Sequence, residues 1–453
     1  MKKKIAILGA GESGVGAAIL AVLQGFEVFV SDKGEIKPSF KNELEKINVE
    51  YEEGKHSFER ILQSDIVVKS PGIADKYEII QAIKSKNICI ISEIEFAYQY
   101  CTDSKTIAIT GTNGKSTTTT LIHHILTFAG LNAIICGNIG NSFAREVAKN
   151  LNNKNVIYVI EISSFQLDDI ITFKPNFAVL LNITPDHLDR YDYKLENYVD
   201  SKFRICKNQD EKDVFIYWNE DILIQEWLSK NMIKAEKISF GKKPLHTNDP
   251  QAFIENNQLI IKDKNTLTMN ILDFAIKGEH NSQNNMAASI IANRMDIRKE
   301  LIRESLSNFK SLEHRMEDAG TVNGIQFIND SKATNVNAAW YALEAVEGPI
   351  IWIAGGVDKG NDYSSLTSLI KSKVKAIVCM GKDNRKIHEA FGNYVELIVN
   401  TSSADEAVKV AHYLGSKGDK VLLAPACASF DLFENYEDRG KQFKAAVNNL
   451  KFN

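Results

Sequence analysis

Short runs of apolar residues recur along the whole chain, and each is followed by a longer segment with helical spacing of apolar residues. The clearest runs are Ile5–Leu8, Val28–Val30, Ile66–Val68, Ile88–Ile91, Ile107–Ile109, Val156–Ile160, Ala178–Ile183, Ile350–Ile353, Ala376–Met380 and Val421–Ala424. Near-continuous runs of Val, Ile and Leu are typical of strands buried on both faces, and alternation of strand and helix is typical of parallel sheets. The pattern therefore predicts an α/β protein throughout.

Two polar breaks divide this pattern into three parts. The first spans Tyr100–Lys105, and the second lies near Ser307–Leu312, before the alternation resumes at Ile325. The stretch Trp218–Asn270 is polar, and we expect irregular structure there, at the periphery of the middle part. The predicted domains are a Rossmann-like domain (residues 1–102), a central P-loop ATPase-type parallel sheet (103–311) and a second Rossmann-like α/β domain (312–453).

Charge and cysteine content narrow the class of protein. With 54 Lys+Arg against 58 Asp+Glu, the chain offers no broad basic surface, which argues against nucleic-acid and membrane-surface binding. No apolar run approaches the roughly 18 residues that a membrane span needs. The six cysteines form no C-x-x-C pair, so neither a zinc site nor a redox motif is indicated, and scattered thiols suit a reducing compartment. The sequence predicts a soluble, cytoplasmic protein.

The first glycine-rich turn is Gly9-Ala10-Gly11-Glu12-Ser13-Gly14, between a predicted strand and a predicted helix at Val15–Gln24. This matches G-x-G-x-x-G in its required context, and Asp32 ends the next strand. Glycines let the backbone approach a pyrophosphate at a helix N-terminus, and Asp32 can accept a ribose hydroxyl. NAD and a UDP-sugar satisfy the motif equally well, and a tight turn without any ligand is the third interpretation.

The second loop is Thr110-Gly111-Thr112-Asn113-Gly114-Lys115-Ser116, again between a strand and a helix, predicted at Thr117–Ala129. Its backbone N–H groups would surround phosphates, Lys115 would reach the β and γ oxygens, and Ser116 would hold Mg²⁺. The loop is shorter than Walker A, because Ile109 stands where that pattern has glycine. Together, the two anion loops suggest ATP and a second, nucleotide-bearing substrate.

Further polar residues follow predicted strands, where open α/β sheets bind ligands. Glu161 follows Val156–Ile160 and can reach a metal, and His187, between Asp186 and Asp189, is a candidate metal ligand or proton carrier. In the last part of the chain, the segments after three strands carry the cations and hydroxyls Lys332, Thr334, Lys359 and Ser429. Such a set suits the binding of carboxylates, whereas each lysine taken alone is equally a solvated surface charge.

These residues resemble the Mur ligase family over essentially the whole chain, and within it the branch that adds D-glutamate. The stretches that carry the resemblance are Gly111–Ser116, Glu161–Gln166, Asp186–Tyr191, Leu312–Arg315, Asn329–Asn335 and Pro425–Phe433. The resemblance implies an ATP-dependent ligase that phosphorylates the carboxylate of UDP-N-acetylmuramoyl-L-alanine to an acyl phosphate, which the amine of D-glutamate then attacks. It also implies peptidoglycan precursor synthesis, Mg²⁺ as cofactor, small-molecule substrates only, and a monomer.

The resemblance also assigns residues to sites. The ATP and metal residues that it implies are Gly111, Thr112, Asn113, Gly114, Lys115, Ser116, Thr117, Asn281, Asn284, Arg315 and Asp330 for ATP, and Ser116, Glu161, His187 and Lys202 for Mg²⁺. Lys202 is expected as a carbamate, which turns a cation into a carboxylate-like ligand. The substrate residues that it implies are Ser13, Asp32, Lys33, Ser70, Gly72 and Asn138 for the UDP substrate, and Lys332, Thr334, Lys359, Ser429 and Tyr436 for D-glutamate. Lys115, Glu161, His187 and Lys202 are the expected catalytic residues.

Three alternatives remain open from the sequence. A ligase of the same family could add another amino acid, or glutamates to folate, although a diamino acid would want an anionic contact where Lys332 and Lys359 present cations. A nicotinamide-dependent oxidoreductase could use the turn at Gly9–Gly14, but has no need of the loop at Gly111–Ser116. The third alternative is a non-enzymatic binding module that is gated by a nucleotide.

Overall fold

Three β-sheets organise the chain, each formed by a separate stretch of sequence. The structure, a computed structural model, describes residues 2–101, 103–242, 250–263, 266–276, 278–310, 313–358 and 360–450. By its internal contacts the chain divides into two compact units, Met1–Phe309 and Lys310–Asn453, and the first unit contains two of the sheets. Among the described residues, every helix is too short or too polar to cross a lipid bilayer.

The first sheet is parallel, with the strand order β3-β2-β1-β4-β5. Its strands are β1 (Lys4–Leu8), β2 (Glu27–Ser31), β3 (Glu50–Glu52), β4 (Ile66–Lys69) and β5 (Cys89–Ser92). The helices of this stretch are α1 (Glu12–Leu23), α2 (Pro38–Lys46), α3 (Phe58–Ile61), α4 (Glu78–Ser85) and α5 (Glu93–Tyr98). The predicted strands and the predicted helix after the first glycine-rich turn are confirmed here to within a few residues.

The second sheet has the order β14-β13-β12-β11-β10-β9-β6-β8-β7. Its strands are β6 (Lys105–Thr110), β7 (Ala133–Gly137), β8 (Ile157–Glu161), β9 (Phe177–Leu180), β10 (Val214–Trp218), β11 (Glu236–Lys242), β12 (Ala252–Glu255), β13 (Gln258–Lys262) and β14 (Thr266–Asn270). The helices are α6 (Lys115–Phe128), α7 (Phe143–Lys149), α8 (Ser164–Asp168), α9 (Leu195–Phe203), α10 (Ile222–Lys230), α11 (Glu279–Arg294) and α12 (Lys299–Asn308). Short 3-10 turns lie at Leu188–Arg190, Arg204–Cys206 and Ile271–Asp273.

The third sheet forms the second unit, with the order β15-β16-β20-β17-β18-β19. Its strands are β15 (Glu317–Val322), β16 (Ile325–Asn329), β17 (Ile350–Ala354), β18 (Val374–Met380), β19 (Ile398–Thr401) and β20 (Lys420–Leu423). The helices are α13 (Val336–Ala345), α14 (Thr367–Lys373), α15 (Arg385–Phe391), α16 (Ala404–Leu414) and α17 (Tyr436–Leu450), with a 3-10 turn at Ser364–Leu366. The strands pair in parallel except at β15–β16.

One prediction about regular structure was wrong. The stretch Trp218–Asn270 is not irregular: its described residues form α10 and the strands β11 to β14, which extend one edge of the second sheet. The predicted parallel sheets also include antiparallel pairs at their edges, β12–β13, β13–β14 and β15–β16. Along β13 and β14 the burial alternates between neighbours, which is the pattern of a sheet with one face packed and one exposed.

The first two sheets share one core. In β6, Ile107 and Ile109 pack against α6, α11 and α12, whereas Ala108 belongs to the cluster that also contains Ile5 of β1 and Phe96 of α5. Successive side chains of a strand point to opposite faces, so one face of the second sheet is covered by its own helices. The other face packs into the cluster that continues into the first sheet.

Two buried acidic residues of α5 bind backbone N–H groups that belong to the stretch forming the second sheet. The carboxylate of Glu95 accepts the backbone N–H groups of Ile171, Thr172 and Phe173 at 2.8 to 3.0 Å, and the Thr172 hydroxyl at 2.5 Å. Glu93, two residues earlier on α5, accepts the backbone N–H of Ala144 at the start of α7. Residues 1–309 therefore pack as one body.

Candidate functional site

A cavity of about 830 Å³ lies beyond the carboxyl ends of the strands of the first sheet. The predicted residues that line it are Gly11, Ser13, Asp32, Lys33, Ser70 and Gly72. The Asp32 carboxylate accepts the backbone N–H of Ala10 at 2.7 Å, so it braces the glycine-rich turn. Gly14 has no room for a side chain, because a Cβ there would lie 1.9 Å from the carbonyl oxygen of Gly9. The turn and Asp32 thus form one wall of a ligand-sized pocket.

Sequence reasoning missed other residues of this cavity, among them Lys55, His56 and Tyr77. They come from two different loops, and no spacing within the sequence links them to the glycine-rich turn. The Lys55 ammonium suits the charge of a diphosphate, and the Tyr77 ring suits stacking on a nucleotide base. The predicted substrate residue Asn138 does not line this cavity and lies in the second sheet instead.

Glu12, an acidic residue inside the presumed diphosphate loop, is bound to the second sheet's helix α7. Its carboxylate accepts Nε of Arg145 at 2.7 Å and the backbone N–H of Ser142 at 3.0 Å. Arg145 also pairs with Glu43 at 2.5 Å. The charge of Glu12 is therefore balanced by a guanidinium.

The second glycine-rich loop joins the end of β6 to the start of α6, as predicted. Gly114 adopts φ of +81°, a left-handed conformation that glycine adopts without strain, and Lys115 begins the helix. Asn182, after β9, fixes the loop: its carbonyl accepts the N–H of Thr112 at 2.9 Å, and its side-chain oxygen accepts that of Asn113 at 2.8 Å. The buried residues Ser116 and Thr117 lie in the first turn of α6, where backbone N–H groups favour an anion.

Lys202 is 1% exposed, on α9, and its Nζ donates to the carbonyl of Gly111 at 2.8 Å. Lys115 donates to the same carbonyl at 2.9 Å. Burial, with the charge of Lys115 as a second cause, lowers the pKa of Lys202 well below its usual range. The amine of Lys202 therefore favours its neutral form.

Glu161, the last residue of β8, is 2% exposed and is held by Asn138. The Asn138 side-chain amide donates to Glu161 Oε1 at 2.9 Å, and its backbone N–H donates to the Glu161 carbonyl at 2.8 Å. Because β8 pairs with β6 through Ile109 and Glu161, this carboxylate lies beside the start of the phosphate-type loop. Carboxylate and hydroxyl oxygens are the ligands that Mg²⁺ prefers, so Glu161 and Ser116 fit the predicted metal.

His187 precedes the 3-10 turn that ends at Arg190, with φ of +53°. Its backbone N–H donates to the Asp186 carboxylate at 2.9 Å, and its ring packs edge-on against Phe165, with ring centroids 5.2 Å apart. Phe165 belongs to α8, which follows Glu161 along the chain. His187 thus lies at the same carboxyl edge of the sheet, after β9.

The two predicted adenine-contacting residues lie on α11 and meet the helix of the phosphate-type loop. Asn284 Oδ1 accepts the Thr118 hydroxyl at 3.0 Å, and Asn284 Nδ2 donates to Asn281 at 3.3 Å. Asn284 is buried. The structure therefore brings this pair next to α6.

In the second unit, the predicted residues gather beyond the carboxyl ends of β16 and β20. Asp330 is buried, and burial raises the pKa of its carboxyl to about 6, opposed by the nearby charges of Arg315 and Lys332. The Lys332 ammonium lies 5.0 Å from the centre of the Tyr436 ring. Thr334 follows in the same loop, where its N–H donates to the Lys332 carbonyl at 2.8 Å.

Arg439 completes this region and was missed by sequence reasoning. It is fully buried on α17 and donates from Nη2 to the Ser331 carbonyl at 2.8 Å and from Nη1 to the Cys427 carbonyl at 3.2 Å. It therefore ties the loop of Lys332 to the loop of Ser429, which is itself buried. Lys359, the remaining predicted contact for D-glutamate, lies outside the described residues.

Comparison with family models covers most of the chain. The model described as the MurD N-terminal domain matches residues 4–79, the Mur ligase middle domain matches residues 109–292, and the Mur ligase, glutamate ligase domain matches residues 314–427.

Curated relatives match from end to end. A protein of Christiangramia forsetii named UDP-N-acetylmuramoylalanine--D-glutamate ligase is 53% identical over 451 residues, which cover 99% of this chain and 100% of that protein. A protein of the same name from Bacteroides fragilis is 48% identical and covers 99% of this chain and 100% of its own length.

Solved structures share the fold at low identity. The UDP-N-acetylmuramate-alanine ligase MurC of Thermotoga maritima is 17% identical with a TM-score of 0.62, over 98% of this chain and 99% of that one. Folylpolyglutamate synthase of Mycobacterium tuberculosis is 13% identical with a TM-score of 0.57, over 78% and 92%.

Proposed function

Because the chain belongs to the Mur ligase family, in the group of UDP-N-acetylmuramoylalanine–D-glutamate ligases, we propose that it joins D-glutamate to UDP-N-acetylmuramoyl-L-alanine with conversion of ATP to ADP and phosphate. The observation that carries the proposal is the presence of two anion-binding loops on one body, the turn at Gly9–Gly14 and the loop at Gly111–Ser116. A nicotinamide-dependent oxidoreductase would have no use for the second loop. The product is a precursor of peptidoglycan.

The reaction proceeds in two steps. A carboxylate oxygen of the UDP substrate attacks the γ-phosphorus of ATP, ADP leaves, and an acyl phosphate forms. The amine of D-glutamate then attacks the acyl carbon, phosphate leaves, and the amine loses a proton as the amide forms. The charge is spread over phosphoryl and carbonyl oxygens, so positioned cations and N–H donors supply most of the catalysis.

The loop residues Gly111–Thr117 surround the ATP phosphates, and Lys115 leaves its loop carbonyls to pair with the β and γ oxygens. Asn281 and Asn284 contact the adenine. Arg315 and Asp330 are ATP contacts that the family resemblance implies. Glu161, Ser116 and His187 would hold Mg²⁺, and the cation would supply charge neutralisation for the phosphates and polarisation of the acyl oxygen. Asn138 holds Glu161 in place for this role and contacts the substrate.

We also propose that Lys202 carries a carbamate that serves as a further metal ligand. Addition of CO₂ requires a neutral amine, and the lowered pKa of Lys202 favours that form. The resulting anion pairs with Lys115 instead of opposing it, since the two groups share one carbonyl acceptor in the unmodified chain.

The UDP moiety occupies the first cavity, where Ser13, Asp32, Lys33, Ser70 and Gly72 contact it. D-glutamate binds in the second unit, where Lys332, Thr334, Ser429, Tyr436 and Lys359 provide cations and hydroxyls for its two carboxylates. We propose three domains with these roles, at residues 1–102, 103–311 and 312–453. We further propose a cytoplasmic, monomeric enzyme with no nucleic-acid or membrane partner, since its substrates are cytoplasmic nucleotides and an amino acid.

Phosphate release from ATP tests the proposal. The protein is incubated with UDP-N-acetylmuramoyl-L-alanine and, separately, with D-glutamate, L-glutamate, L-lysine or meso-diaminopimelate. Turnover with D-glutamate alone is expected. Turnover with another amine would overturn the assignment of the second unit, and no turnover with any amine would overturn the assignment of the first cavity.

A further inference from the structure

Arg190 makes an unusual contact between the second sheet and the loop Ser70–Ile73 of the first. Its guanidinium donates from Nη1 to the carbonyl of Gly72 at 3.3 Å, and from Nη2 to those of Pro71 at 3.2 Å and Ile73 at 3.4 Å. Three successive carbonyls are thus contacted by one side chain. The planar fork of arginine suits such a task, because it offers several donors in a fixed arrangement.

This loop lines one of two neighbouring cavities and not the other. The loop Ser70–Ile73 lines the cavity of about 830 Å³ in which the UDP moiety is proposed to bind. Arg190 does not line that cavity; it lines a neighbouring one of about 810 Å³, together with Arg204 and Trp227. Arg190 therefore contacts the loop from outside the proposed UDP site.

Arg190 also contacts residues at the carboxyl edge of the second sheet, where the catalytic residues are proposed to lie. Its backbone N–H donates to the carbonyl of His187 at 3.0 Å. Its guanidinium also lies over the ring of Phe165, 4.4 Å from the centroid, and that ring packs against the ring of His187. The cation–aromatic contact limits the positions that the guanidinium can adopt.

We propose that Arg190 is a positioning residue for the UDP substrate: it holds the loop Ser70–Ile73 at a set distance from the turn that carries His187. This inference rests on the proposed function. The UDP moiety is held at one end of this span and the reacting carboxylate at the other, so a displaced loop misplaces the acyl end. A displacement of about 1 Å far from the chemistry can lower a rate by about 10²-fold.

The test is the replacement Arg190→Gln, which removes the charge and the fork. We expect kcat/KM for the UDP substrate to fall by about 10²-fold, while KM for ATP stays within about twofold of the wild type. Isothermal calorimetry with the UDP substrate alone should show weaker binding than in the wild type. Arg190→Lys keeps the charge but cannot reach three carbonyls, so it should give intermediate values.

Arg204→Gln is the matched control. Arg204 lines the same cavity and also donates to backbone carbonyls, those of Leu167 at 2.6 Å and Ile170 at 2.7 Å, but it has no contact with the loop Ser70–Ile73. Its loss should lower thermal stability and leave the KM for the UDP substrate near the wild-type value.

Equal effects of the two substitutions would overturn the inference, as would an Arg190→Gln variant with unchanged affinity for the UDP substrate. Wild-type protein without ligase activity would instead overturn the proposed function, so the two failures are distinguishable.

Discussion

Lys115 and Lys202 donate hydrogen bonds to one and the same oxygen, the carbonyl of Gly111, at 2.9 and 2.8 Å. Two ammonium groups at these positions would repel each other, and Lys202 is too deeply buried for water to screen them, so the amine of Lys202, whose pKa is lowered, favours its neutral form. A change that converts Lys202 into an anion would instead create an attraction to the Lys115 ammonium. The arrangement therefore favours modification of Lys202 and leaves Lys115 as the cation for phosphate.

Lys202→Ala should abolish ligase turnover and leave the fold intact. Because the proposed carbamate is a carboxylate-like group, small carboxylates such as formate or acetate should restore part of the activity of this variant. The assay is phosphate release with increasing carboxylate, and a carbon-13 signal after incubation with labelled CO₂ should appear in the wild type and be absent from the variant. Lys207→Ala, which changes an exposed lysine just after the 3-10 turn that follows α9, is the control. A folded Lys202→Ala variant that no carboxylate rescues would contradict the carbamate.

Lys115→Ala should lower the rate of ATP turnover by about 10²–10³-fold, the usual effect of losing one positioned electrostatic donor. The comparison is Lys149→Ala, which removes an exposed lysine that pairs with Glu146 on α7. Phosphate release at saturating D-glutamate and UDP substrate measures both. Near-normal activity of Lys115→Ala would contradict the assignment of the loop Gly111–Ser116 to the ATP site.

Glu93 should make stability depend on pH. Burial raises the pKa of its carboxyl to about 8, against an ordinary value of 4.5, so the folded protein keeps a proton that the unfolded chain releases between these values. Stability therefore falls as the pH rises through that interval, by an amount of the order of 5 kcal/mol from this group. Glu93→Gln mimics the protonated form, so it should match the wild type near pH 5 and be more stable above pH 8. Urea unfolding at several pH values measures the difference.

Glu95→Gln provides the contrast for that experiment. Its carboxylate accepts three backbone N–H groups and a hydroxyl, and an amide cannot replace a charged acceptor at all of these positions. We therefore expect Glu95→Gln to be less stable than the wild type, because the amide leaves backbone N–H donors without a charged acceptor. A Glu93→Gln variant that behaves in the same way would show that residue 93 is ionised in the folded protein.

Glu12→Gln should not strengthen binding of the UDP substrate, although it removes a negative charge from the presumed diphosphate loop. Arg145 already balances that charge, and its Nε and Nη2 donate to both carboxylate oxygens, at 2.7 and 3.0 Å. The expected result is an unchanged KM for the UDP substrate and a lower thermal midpoint. Tighter binding of the UDP substrate by this variant would show that the carboxylate faces the ligand.

The sequence predicted the buried strands well, because each is a continuous apolar run that only a two-sided environment explains. Each of the ten runs overlaps a strand, to within one to three residues at its ends, and both glycine-rich turns join a strand to a helix. The strands β13 and β14 are not continuous apolar runs, because their apolar residues alternate with polar ones. Over five residues such an alternation differs little from the pattern of an irregular polar segment.

The hydrogen-bond and ion-pair partners of the site residues could not be predicted from the sequence, for a different reason. Glu12 and Arg145 are 133 residues apart, and Lys202 and Gly111 are 91 apart, so no local spacing relates them. Lys202 in particular has the ordinary neighbours of a helix-face lysine, and only the family resemblance singled it out. Arg439, fully buried, carried no signal at all in its own segment.

The hydrogen bonds of Glu95 couple the unfolding of the two sheets in the first unit. Because its carboxylate binds backbone donors of the second sheet, and because the two sheets share a core, neither sheet can unfold without exposing the other's unsatisfied groups. Uridine nucleotide bound in the first cavity, the proposed UDP site, should then protect the loop Gly111–Ser116 from proteolysis and hydrogen exchange, although that loop does not line the cavity. A ligand bound beside the first sheet thus stabilises the second sheet against local unfolding.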